Sequence, residues 1–193
     1  MTTLTLDTSG PFCAVQVGGA HAQVAWMKTG QSERLFDLIQ TALTQAGLAR
    51  TDLSLICVGI GPGNFTGTRI GVAAARGLAL SLGIRAIGIS RLEALLHGQS
   101  NTPAAVTAHR GHAFLQYPAQ DPELVETASL PTQLCVDESF PDPGTAMVVP
   151  LAELLPTMAS LAQAQPDVPA PAPLYLRAPD AALPSEQPPV ILP

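Results

Sequence analysis

The sequence predicts an α/β fold, and three observations carry that prediction. The chain opens with short apolar runs bounded by turn residues. Two segments with helical spacing follow. Two near-continuous apolar runs with β-branched residues alternate with those helices.

Residues 2–7 alternate, with Leu4 and Leu6 on one side and Thr3, Thr5 and Asp7 on the other, so they read as a strand ending at the turn "DTSG". "PFCAVQVGG" and "AHAQVAWMK" read as the next two strands, joined at Gly18-Gly19. Pro11 is tolerated because it comes first in its strand. Over residues 32–46 the spacing becomes helical, with Leu35, Leu38, Ile39, Ala42, Leu43 and Ala46 on one stripe and Gly47 as C-cap. "LSLICVGI" (53–60) reads as a strand covered on both faces. The loop "GPGNF" then leads into a helix capped by Thr66 and ending at Gly83. "IRAIGIS" is a further buried strand. "SRLEALLHG" is a short helix whose Ser90 and Glu93 form a capping box.

A boundary falls near "QSNTP", dividing an N-terminal lobe (1–100) from a reduced second lobe (101–193). Beyond it, two strands flank Gly111, "AMVVP" is a short strand, and "LAELLPTMASLAQAQ" is a helix that Pro156 should kink or split. Nine prolines between 166 and 193 exclude long regular elements. That tail is expected to wrap the surface as extended segments, with the final ~15 residues disordered.

With 193 residues and 47% hydrophobic content the chain can bury a core. Its net charge of -6 would repel nucleic acid, so a general nucleic-acid clamp is not expected. Cys13, Cys57 and Cys135 are widely spaced and imply neither a disulfide framework nor a zinc site. The N-terminus has no basic, apolar leader, and no window reaches the ~18 apolar residues of a membrane span. A cytoplasmic location is expected.

The stretch "GIGPGNFTGTRIGVAAARGLALSLG" (59–83) invites a nucleotide-binding reading, which its chemistry does not support. No lysine occurs in 59–71, as a P-loop requires. In the dinucleotide register Asn64 takes the third glycine position, and no acid closes the strand at 84–90. Gly61, Pro62 and Gly63 instead make a tight strand-to-helix turn. Within the helix, Gly67, Gly71 and Ala75 are spaced by four, as are Ala73 and Gly77. Each helical glycine costs about 1 kcal/mol against alanine, so close packing is needed to explain them. The approaching surface is either the chain's own sheet or a partner helix. Arg69 and Arg76 lie two turns apart on one side.

"LDTSG" is similar to the active-site turn of aspartic proteases, a reading that would require a homodimer of a nearly all-β chain. A turn-capping role for Asp7, or magnesium handling in a phosphate-transfer fold, are the alternatives. His109 and His112 are three apart on a strand and face opposite sides, so a shared metal is not expected.

"LTLDTSG", "GIGPGNFTGTRIGVAAARGLALSLGI" and "IGISRLEAL" together closely resemble the bacterial TsaB (YeaZ) family over residues 1–96, and "PLYLR" (173–177) matches the family's ending. The resemblance implies an actin-like, Hsp70-like (ASKHA) ATPase fold of two lobes, here with the second short and proline-rich. It implies a non-catalytic subunit in making threonylcarbamoyladenosine next to the tRNA anticodon, with a TsaD-like catalytic partner and a TsaE-like ATPase. tRNA is expected to be met only through that complex. The isolated chain is expected to self-associate and to bind no cofactor, while ATP or ADP could lie at the joint of the assembled complex. The partner surface would comprise Leu35, Leu38 and Ile39 on the first helix. On the second it would comprise Phe65, Thr66, Gly67, Arg69, Ile70, Gly71, Ala73, Ala74, Arg76 and Gly77. Asp7, Gly61, Pro62 and Gly63 would serve the turns. The chain departs from the family pattern at Gln31, and at Thr107, His109, His112 and Phe114 in the second lobe. A free-standing ATPase or phosphotransferase of the same fold is the alternative reading.

Overall fold

The computed structural model describes residues 1–165 and 168–176. Strands β1 (Thr3–Asp7), β2 (Phe12–Val17), β3 (Gln23–Trp26), β4 (Leu55–Gly59) and β5 (Arg85–Ile89) form a first sheet in the order β3-β2-β1-β4-β5. β1, β2 and β3 pair antiparallel, whereas β1, β4 and β5 pair parallel. Helix α1 (Gln31–Ala46) precedes β4, and α2 (Phe65–Leu82) makes the crossover from β4 to β5.

The second sheet repeats this plan with less material. Strands β6 (Ala104–Thr107), β7 (His112–Gln116), β8 (Glu123–Glu126), β9 (Cys135–Asp137) and β10 (Met147–Val149) run in the order β8-β7-β6-β9-β10. The strand senses match pair for pair. Where α1 stands in the first sheet, the second has one 3-10 turn, Thr127–Ser129. Where α2 stands, residues 138–146 contain no helix.

Layering follows from the apolar stripes. Leu4, Leu6, Val15, Ile56 and Val58 meet Leu35, Leu38, Ile39 and Leu43 of α1, and Val72, Ala75 and Ala79 of α2. The opposite face of the first sheet is also buried. It packs, through Phe12, Ala14, Leu55, Cys57 and Ile87, on α3 (Arg91–Leu96) and α4 (Leu151–Ala164). These two helices lie between the sheets, so α4, although drawn from beyond residue 100, covers the N-terminal strands. Thr3 and Thr5 therefore face protein rather than water, and Gln163 donates its side-chain amide to Thr3 Oγ1 at 2.8 Å.

Several local expectations change. Asn64, not Thr66, caps α2: its side chain accepts from Gly67 N at 2.9 Å, and Thr66 is an exposed residue of the first turn. Pro156 does not split α4, which runs unbroken around it. Leu151, Leu154, Leu155, Met158 and Ala162 are buried between the sheets, and that burial outweighs one lost backbone hydrogen bond. Gly18 occupies a turn with φ 54°, but the β2–β3 ladder begins only at Val15 and Gln23, so the connection is wider than two residues. Residues 168–176 run back along the first sheet, with Leu174 N donating to Ile60 O at 2.8 Å. The expectation for the final ~15 residues lies outside the described residues.

Candidate partner interface

The loop between β4 and α2 grips the turn after β1. Gly61 takes φ 98°, a left-handed conformation that glycine adopts readily, and the Gly61-Pro62 peptide is cis. Gly63 lies against Ser9 O, Gly67 lies against Thr8 O, and a Cβ at either position would collide with those carbonyls. Asn64 N donates to Ser9 O at 2.6 Å, and Thr8 Oγ1 donates to Gly67 O at 2.6 Å. The amides of Gly67 and Thr68 are held by Asn64. Three of the amides a phosphate cradle would use, those of Asn64, Gly67 and Thr68, are thus already bonded within the chain.

Asp7 is fully buried at the end of β1 and accepts from Ser9 N at 2.7 Å. Its second oxygen lies 4.0 Å from Arg91 Nε, and Arg91 is itself buried at the start of α3. The Arg91 guanidinium bonds Asp137 of β9 and Ser139 Oγ, and it stacks 5.2 Å from the centre of the Phe12 ring. Burial pushes the Asp7 carboxyl above the usual carboxylate range. The Arg91 charge and the hydrogen bond from Ser9 N oppose that rise, and Asp137 adds to it. An internal carboxylate paired in this way cannot meet a second copy across a surface dyad, so the protease-like reading of "LDTSG" fails.

The outer face of α2 is different. Phe65, Thr66, Arg69, Ala73, Arg76 and Gly77 are exposed, and Ile70 and Ala74 are half-buried. Leu80, which lies outside the expected partner set, is 86% exposed. Arg69 lies 3.8 Å over the Phe65 ring, and its Nε donates to Tyr175 OH at 2.6 Å. Phe65 and Tyr175 are themselves in ring contact at 5.1 Å. The returning segment thereby adds Tyr175 and Pro173 to a groove of about 480 Å³ lined by Arg69, Val72, Ala73 and Arg76. Among the described residues neither Arg69 nor Arg76 forms an ion pair. α2 contains no acid, so its outer face is cationic on a chain of net charge -6.

The expected partner set therefore divides. Leu35, Leu38 and Ile39 are buried against the first sheet and offer a partner no surface; on α1 the outward residues include Phe36, at 54% exposure. Gly67 and Gly71 are also internal. A Cβ at Gly71 would lie 2.6 Å from Thr8 Oγ1, so this close approach is to the chain's own strand. At Gly77 a Cβ would meet nothing within 4 Å, so internal packing does not explain that glycine. Of the departures from the family pattern, Gln31 is buried at the start of α1, and His109 and His112 flank the β6–β7 turn. Thr107 is half-buried with an unpartnered hydroxyl, and Phe114 is buried.

Residues 16–174 match the family model described as "TsaD: tRNA N6-adenosine threonylcarbamoyltransferase". The Escherichia coli "tRNA threonylcarbamoyladenosine biosynthesis protein TsaB" is 32% identical over 123 residues, which cover 59% of this chain and 53% of that protein. The Bacillus subtilis protein of the same name is 36% identical over 99 residues, covering 49% and 43%. The chain belongs to the TsaB (YeaZ) family. The chain spans about half the length of these relatives. An uncharacterized protein of Mycobacterium bovis is 30% identical with 93% of each chain covered. A Pseudomonas aeruginosa crystal structure, described as similar to peptidase YEAZ, superposes with a TM-score of 0.73 at 25% identity, covering 91% of this chain and 99% of that one. The two-sheet architecture is accordingly the ASKHA-like α/β fold of the TsaB family.

Proposed function

We propose that the chain is a non-catalytic subunit in tRNA threonylcarbamoyladenosine synthesis, pairing with a TsaD-like catalytic subunit through the outward faces of α1 and α2. The observation that carries this reading is the outer face of α2, where Leu80, Gly77 and Ala73 lie exposed beside the solvent-facing Phe65–Arg69–Tyr175 stack. An isolated helix face of this kind is expected to be covered by a second protein surface. The names of the TsaB relatives supply the pathway.

In this reading the isolated chain self-associates through the same face. A TsaE-like ATPase joins the assembled complex, tRNA is met only through that complex, and any ATP or ADP sits at the subunit joint. The location is cytoplasmic; among the described residues no helix is long and apolar enough to cross a membrane.

Light scattering on the chain mixed with the TsaD-like subunit of the same organism, and on each alone, tests the proposal. A 1:1 or 2:2 complex supports it. A monomeric chain that forms no complex and binds ATP by calorimetry overturns it in favour of an independent nucleotide enzyme.

A further inference from the structure

The segment that returns along the first sheet, residues 168–176, reaches two cavities at once. Its side chains alternate between them, as those of extended backbone do. Leu174 and Leu176 line a cleft beside Ser90 and Gln116, whereas Pro173 and Tyr175 line the groove on α2. Pro171 is buried beside Gly88, where a Cβ would lie 3.1 Å from the proline Cβ, and Leu174 N is bonded to Ile60 O. The segment is therefore anchored on β5 and on the residue that follows β4.

That anchoring fixes a cation of α2. Arg69 is clamped between the Phe65 ring, 3.8 Å away, and Tyr175 OH, which accepts from its Nε at 2.6 Å. A guanidinium carries five N–H donors, and among the described residues the terminal nitrogens of Arg69 bond nothing else. Arg76, two turns along the same side of α2, is exposed and forms no ion pair among the described residues. Val72, Ala73 and Pro173 give the groove between these cations its apolar lining. The nearby outward acids of α1 are already engaged: Glu33 accepts from Ser32 Oγ at 2.8 Å, and Asp37 lies 3.6 Å from Arg34.

We propose, building on the partner reading above, that this groove takes a carboxylate side chain from a helix of the partner protein, and that Tyr175 is the positioning residue that holds Arg69 ready for it. Guanidinium donors match carboxylate oxygens in geometry as well as charge. A guanidinium already stacked and hydrogen-bonded also loses less side-chain freedom on binding than a free one. A second copy of the chain is the poorer occupant, because two α2 faces in contact would bring together Arg69 and Arg76 of both copies with no acid from either helix.

Calorimetric titration of the TsaD-like subunit with wild-type and variant chains, at low and high NaCl, tests this contact. Wild type should bind less tightly in high salt. Arg76→Ala should weaken binding about tenfold at low salt and flatten the salt dependence. Tyr175→Phe keeps the ring and removes only the hydroxyl. It should weaken binding about fivefold with an unchanged melting temperature, and it should add nothing to Arg69→Ala in the double variant. Arg110→Gln, which removes an exposed cation from the β6–β7 turn, should bind as wild type does. Wild-type binding that neither Arg76→Ala nor Tyr175→Phe alters overturns the contact and leaves the partner reading standing. So does a loss in Arg110→Gln equal to that in Arg76→Ala, since net charge alone then accounts for it. A melting temperature of Tyr175→Phe that falls in step with its affinity overturns the positioning role. If Arg76→Ala spares partner binding but abolishes self-association in light scattering, the occupant is a second copy and the proposal fails. No binding by wild type at either salt removes the partner reading and this contact with it.

Discussion

Two glycines of α2, six residues apart, should respond to the same substitution with opposite signs. At Gly77 an added methyl meets nothing within 4 Å. Gly77→Ala therefore gains only helix propensity and should stabilise the chain by about 1 kcal/mol. At Gly71 the methyl would lie 2.6 Å from Thr8 Oγ1, 3.5 Å from Leu6 Cδ1 and 3.6 Å from Val58 Cγ2. Overpacking of this kind costs roughly 1–3 kcal/mol. Thr8 cannot move freely, because its hydroxyl donates to Gly67 O, a bond worth about 1 kcal/mol. After the propensity gain, Gly71→Ala should destabilise by about 1–3 kcal/mol. In thermal unfolding followed by circular dichroism the two variants should move in opposite directions, by roughly 2–4 °C for each kcal/mol. If Gly71→Ala stabilises the chain as much as Gly77→Ala does, α2 does not pack on β1 as described.

Asn64→Ala removes the α2 cap and should lower stability by about 1 kcal/mol, read as a fall in the melting temperature, whereas Thr66→Ala should change it little. Asp7 has a raised folded-state pKa, so the stability associated with its protonated form is complete below the unfolded pKa and is lost as pH rises through the folded value. Asp7→Asn should therefore gain stability relative to wild type as pH rises from acid to neutral, and a difference in melting temperature that shrinks over that range would refute this. Burial pushes the Cys13 thiol up to about 12, that of Cys135 up to about 11, and that of Cys57 higher still. A thiol-disulfide reagent at pH 8 should label none of the three in the native chain and all three after denaturation.

Much of the first sheet was legible because its signals are local. The alternation of residues 2–7, the stripe from Leu35 to Leu43 and the box at Ser90 and Glu93 each report a nearby backbone pattern. β9 was missed because three residues carry no period, and β8 because the edge strand "ELVE" is exposed at both ends. The glycines of α2 showed that something approaches closely but not from which side. Only the β1 turn, some 60 residues away in sequence, settles that Gly67 and Gly71 face inward. Arg91 had no sequence signal, since a charged first residue of a helix is normally solvated, and its partners come from two different sheets. Tyr175 lies in "PLYLR", which was visible as a motif. Its place beside Phe65 and Arg69 depends on where the returning segment crosses α2.

The most direct test compares two exposed leucines on different elements, one on a helix of the first sheet's layer and one on the second sheet. Leu80 is 86% exposed on α2, and Leu124 is 42% exposed on the edge strand β8. Calorimetric titration of the TsaD-like subunit with Leu80→Asp and Leu124→Asp chains, both checked for an unchanged circular dichroism spectrum, separates the faces. Loss of binding by Leu80→Asp with binding retained by Leu124→Asp is the result expected if α2 carries the partner. Undiminished binding by Leu80→Asp would contradict it.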